Sequence, residues 1–136
     1  MKPLIYKLYL LSAILLLVSC TAFEKEPEYA YKVYNNTTYA ITVRANLKYP
    51  TIGSGSLTEV IPAGETQTLW IDYTGEKGEG VMDIERKSQL SPFDSFLVQR
   101  DVVSSSKDFL ETRRWQYKKE KNYRATYTLT VSDSDF

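Results

Sequence analysis

The chain has 136 residues, with 17 basic side chains against 17 acidic ones, a single cysteine and no histidine. One small domain with one modest core fits that length. The charge balance excludes a dedicated nucleic-acid binder, and one cysteine excludes a disulfide framework, a cysteine-based zinc site and a CxxC redox pair. Without histidine the chain also lacks the usual general base near neutral pH and the commonest metal ligand.

The first element in chain order is an address. Met1 to Lys7 carries two lysines, and Leu8 to Val18 is an almost unbroken apolar run that ends at Ser19-Cys20. Such a run spans about 16 Å as a helix, short of the ~30 Å hydrocarbon core, so a secretory signal peptide over residues 1–19 is expected in place of a transmembrane helix. The junction Leu17-Val18-Ser19-Cys20 resembles the lipobox of bacterial lipoproteins. That resemblance implies cleavage before Cys20, diacylation of its sulfur and a membrane tether. One acyl chain binds only marginally, and two or three hold firmly. Without Lys2 and Lys7 the mature chain keeps 15 bases and 17 acids, a formal charge of −2.

Residues 20–28 follow as lipidated cysteine and linker, polar and rich in glutamate, with Pro27 near the end. Thr21 is not the aspartate that retains lipoproteins in the inner membrane of enteric bacteria, so the resemblance implies the outer membrane, facing the periplasm or the cell surface. The glutamates after the cysteine are also similar to the surface-export signal of Bacteroidetes lipoproteins, although Lys25 interrupts them. A plain solvated linker is the alternative.

From residue 29 to 136 the apolar period is two. Tyr39, Ile41, Val43, Ala45 and Leu47 alternate with Thr42, Arg44, Asn46 and Lys48. Tyr123, Ala125, Tyr127, Leu129 and Val131 alternate with Arg124, Thr126, Thr128 and Thr130. Each pattern predicts a strand with one face on a core and one in water. Further strands are expected at Ala30 to Tyr34, Leu57 to Ile61, Thr66 to Tyr73 and Val81 to Arg86, and in a segment where Phe109, Trp115 and Tyr117 share one parity. Asn35-Asn36-Thr37-Thr38 and Pro62-Ala63-Gly64 read as turns, the asparagines suiting positive φ. Phe96 to Val103 is either strand or, after Ser91-Pro92, a helical turn. The loops at Pro50 to Ser56 and Thr74 to Gly80 are expected to be the most flexible. The fold class is therefore all-β: an immunoglobulin-like antiparallel β-sandwich of seven or eight strands after the signal peptide, with a small barrel as runner-up.

Lipobox, acidic linker, Asn-rich first hairpin, the Ile61-Pro62-Ala63-Gly64-Glu65 turn and the ending Tyr127 to Asp133 together resemble small envelope lipoproteins of Bacteroides-like bacteria. That resemblance brings no catalytic residues with it.

Chemistry is sparse. Gly75-Glu76-Lys77-Gly78-Glu79-Gly80 lacks the Gly-Lys-Ser/Thr ending of a phosphate loop, and its glutamates would repel phosphate. Glycosidase work needs two carboxylates facing each other across a sugar. Asp83 and Glu85 share one strand face and could point together, but a solvated strand edge is the commoner arrangement. A serine hydrolase would need a lysine base. No calcium-loop spacing is present, and no cofactor or metal site is expected. The densest feature is Arg113 to Arg124, with six cations, one anion and three aromatics about a probable hairpin tip. Arg114, Lys118, Lys119 and Lys121 are the candidate binding residues, Arg114 only if it faces away from Trp115. The simpler reading puts Trp115, Tyr117 and Tyr123 in the core and leaves the cations to solubilise the turn. The function expected is a non-catalytic binding or accessory module for an envelope glycan, lipopolysaccharide or protein, with no nucleic acid. The alternative is a structural or inhibitory subunit docking on an envelope enzyme or assembly.

Overall fold

The computed structural model describes residues 25–49, 55–82 and 92–136. The signal peptide, Cys20, most of the loop after Pro50, and the carboxylates of Asp83 and Glu85 lie outside the described residues. Among the described residues eight strands are formed: β1 (Glu28–Asn36), β2 (Ile41–Leu47), β3 (Ser56–Ile61), β4 (Thr66–Tyr73), β5 (Phe93–Arg100), β6 (Val103–Ser104), β7 (Trp115–Lys121) and β8 (Arg124–Ser132). They make two four-stranded sheets, ordered β4-β1-β8-β7 and β3-β2-β5-β6. An all-β sandwich is the architecture.

Alternation drives it. Tyr29, Tyr31 and Val33 of β1, Ala125, Tyr127, Leu129 and Val131 of β8, and Trp115 of β7 turn inward from one sheet. Ile41, Val43, Ala45 and Leu47 of β2 meet them with Phe93, Phe96 and Val98 of β5. Tyr31 stands in the middle, stacked on Tyr127 at 5.4 Å between ring centroids and edge-on to Phe93 and Trp115 at 5.5 and 6.1 Å. Offset-stacked and edge-to-face rings add about 0.5–1.5 kcal/mol per pair beyond their burial. Its hydroxyl is buried with no partner among the described residues, and burial pushes its pKa well above the ordinary tyrosine value. Among the described residues, every member of this core lies within β1 to β8 or their connections.

The structure corrects several expectations. Not every strand pair is antiparallel, because β1 and β8 run parallel from Glu28↔Arg124 to Asn36↔Ser132. They are the first and last strands, so no short connection has to join them and either direction is open. The segment at Phe96 to Val103 holds no helix: β5 and β6 form a hairpin turning at Asp101, the one described non-glycine residue with positive φ. Asn35 and Asn36 do not use positive φ at all. Phe109 lies before β7, not in it, and is buried because the Trp115 indole N–H donates to its carbonyl at 2.8 Å. Val81 and Met82 are not in a strand, and the rest of Val81 to Arg86 lies outside the described residues.

Candidate functional site

The basic segment is a hairpin, as its sequence suggested, but its cations do not act as one group. Arg114 ends a 3₁₀ turn (Thr112–Arg114) at the start of β7. Its Nε donates to Glu111 at 3.1 Å, and its guanidinium stands 5.9 Å from the Phe109 ring centroid. Arg113 binds the same carboxylate at 2.9 Å, and the two arginines, Arg113 foremost, hold the Glu111 carboxyl below its usual range. Seven residues of strand at ~3.3 Å each separate Arg114 from Lys121, so it lies at the other end of the sheet. Half-buried and sharing the Glu111 carboxylate with Arg113, Arg114 stands apart from the three lysines.

The three lysines are also divided. Lys118 pairs across the sheet with Thr126, on the outer face, and its amine is 3.5 Å from Glu120. Lys119 has the parity of Trp115 and Tyr117 and stands opposite the buried Ala125, but its own side chain is exposed. The register shifts between Lys119 and Lys121, which brings Lys121 level with Arg124 beside the turn at Asn122-Tyr123. Alternation along an extended edge strand sets neighbouring lysines on opposite faces, so the sequence cluster becomes a fan and not a patch.

What Lys121 joins was not evident from its own segment. The hairpin tip meets the linker, because the Glu28 N–H donates to the Tyr123 carbonyl at 2.9 Å. The β4–β5 loop closes on both: Gly78 N–H donates to Lys25 O at 3.1 Å, and Val81 N–H to Asn122 O at 2.8 Å. Gly75 makes this possible with φ +129, since a Cβ there would come within 2.9 Å of the Pro27 ring. The stretch expected to be most flexible is thus docked through its glycines.

A cleft of about 290 Å³ opens where these three segments meet, with Lys25, Lys121, Asn122 and Tyr123 around the Glu28–Arg124 pair. It continues past Glu26 to Tyr73 and Lys77. Arg124 Nε stands 2.8 Å from Glu28, and Lys77 stands 3.7 Å from Glu26. The lining therefore holds four cations and two carboxylates, with both carboxylates engaged. Lys25 and Lys121 have no ion pair among the described residues. Glu28 and Arg124 meet only because β1 and β8 are parallel neighbours, which no local pattern in either strand announces.

Among the described residues, no group of three His, Cys, Asp or Glu side chains could hold a metal ion. The sequence contains a serine–lysine spacing, Ser104-Ser105-Ser106-Lys107. It sits on β6 and the turn after it. The Ser104 hydroxyl accepts from the Gln99 amide at 2.9 Å, and the Ser105 hydroxyl donates to the Asp135 carbonyl. Those bonds give both hydroxyls structural employment.

Comparison with protein-family models, with curated proteins and with solved structures finds no match to this chain.

Proposed function

We propose that this chain is a lipid-anchored envelope lipoprotein whose β-sandwich serves as a non-catalytic binding or accessory module. The observation that carries the reading is Leu17-Val18-Ser19-Cys20, which closes an apolar run too short to span a bilayer. A compact sandwich beginning at Glu28 supports it, because a short linker then suffices to hold the domain off the membrane. The outer membrane, on its periplasmic or outer face, is the proposed location. The partner proposed is an envelope glycan, lipopolysaccharide or protein, with Lys121 as the first candidate binding residue and Lys118 and Lys119 as flanking charge. The immunoglobulin-like reading is proposed for the two facing sheets alone. The order β4-β1-β8-β7 and β3-β2-β5-β6 is not the immunoglobulin order, which sets strands 1, 2, 5 and 4 against 3, 6 and 7.

Mass spectrometry of the N-terminal peptide from the membrane fraction tests the proposal. Diacylated Cys20 at a new N-terminus is the expected result, and Cys20→Ala should release the domain or leave the precursor uncleaved. An unmodified cysteine in that fraction would end the proposal.

A further inference from the structure

The cleft at the linker end is placed where few ligand sites could be. Its wall includes Lys25, and only five peptide units separate Lys25 from Cys20. A fully extended chain covers at most ~3.6 Å per residue, so Lys25 lies within about 18 Å of an acylated Cys20 whatever path the chain takes. The lining is rich in donors and carries two cations more than carboxylates, although the mature chain as a whole is slightly acidic. Glu76 and Glu79 on the adjoining loop stand outside that lining. Arg124 and Lys77 are matched by Glu28 and Glu26, so the charge left to attract an anion is that of Lys25 and Lys121.

We infer that this cleft binds the phosphate of an anionic lipid headgroup in the leaflet that holds the acyl chains. The inference rests on the lipid-anchored reading above. A phosphate diester between Lys25 and Lys121 gains two charge-assisted contacts, which are shorter and stronger than neutral ones. Asn122 and Tyr123, also lining the cleft, are residue types that carry further donors. Headgroup binding here would hold the sandwich end-on to the bilayer. The opposite end would then face away from the membrane.

Mature chain with Cys20→Ser, which carries no acyl group, is co-sedimented with vesicles of phosphatidylcholine alone and with phosphatidylglycerol added. Retention should need the anionic lipid and should fall as salt is raised towards 1 M, where screening shortens to ~3 Å. Lys25→Gln with Lys121→Gln should lower the vesicle partition coefficient on the order of 30-fold, as two lysines near an anionic surface would. Both side chains are exposed, so the variant should keep the wild-type urea midpoint. Lys107→Gln with Arg113→Gln removes equal charge at the other end and should leave retention unchanged. Inorganic phosphate at no more than the concentration of lipid phosphate, at constant ionic strength, should not release the wild type. Equal retention on both vesicles, an equal loss in the control pair, or release by phosphate would each overturn the headgroup assignment. Because the probe lacks acyl chains, its failure is separate from a failure to find acylated Cys20 in cells.

Discussion

The two ends of the sandwich are closed by different chemistry. At the end away from the linker, Asn35 is fully buried and uses its whole side chain. Its amide donates to the Tyr39 and Ile61 carbonyls at 2.8 and 2.9 Å, and its oxygen accepts from the Thr37 N–H and hydroxyl at 3.0 and 2.7 Å. The Asn35 backbone also exchanges hydrogen bonds with the β3–β4 turn, through Glu65 O and Gly64 N–H. Nearby, the Arg100 guanidinium lies 4.3 Å from the Tyr39 ring centroid and 5.6 Å from that of Phe136, which fixes the C-terminus. The linker end is held by backbone bonds between loops and by ion pairs at the surface. Buried, saturated polar groups hold one fixed geometry. Exposed charges contribute little to stability and remain open to a partner. One end ties β1 to β3 across the two sheets, and the other carries exposed charge around the cleft.

Asn35→Leu is the strongest way to break this contrast. The Ile61 carbonyl and the Thr37 N–H would lose their side-chain partner at a buried site, and each orphaned group costs ~1–3 kcal/mol. The Thr37 hydroxyl can still donate to the Tyr39 carbonyl at 2.8 Å. A loss of about 3 kcal/mol or more is expected in urea unfolding, with the shared burial keeping the terms from adding fully. A loss under about 1 kcal/mol would show that water replaces the side chain there.

At the linker end, Arg124→Gln should cost far less. Glu28 is part-exposed and can turn to water, and the median exposed ion pair contributes ~0–1 kcal/mol. The same unfolding measurement should place this variant within about 1 kcal/mol of wild type, and a cost rivalling that of Asn35→Leu would remove the distinction between the ends.

Much of the fold was legible in the sequence because period-two alternation is a local signal. Ala125, Tyr127, Leu129 and Val131 are all buried as their spacing required, and Ile41, Val43, Ala45 and Leu47 likewise. What stayed hidden depends on distant partners. Asn35 looked like a turn residue suited to positive φ, yet its value lies in carbonyls 4 and 26 residues away. Phe109 shares the parity of Trp115 but reaches the core through a tryptophan-held turn. The basic run at 113–124 was visible as composition, but a 3₁₀ turn, a register shift and strand alternation divide it. Lys25 and Lys77 read as linker and loop until the chain brought them to Lys121 and Arg124.

Amide hydrogen exchange on the unlipidated mature chain, with and without anionic vesicles, tests most directly whether the ends have separate tasks. In the free protein the Asn35, Gly64 and Ser105 amides, bonded to Glu65, Asn35 and Val98 carbonyls, should exchange more slowly than those of Gly78 and Val81. Vesicles should raise protection at Glu28, Gly78 and Val81, around the cleft, and leave Asn35 and Gly64 as they were. Protection gained at the Asn35 end, or at neither end, would contradict the account.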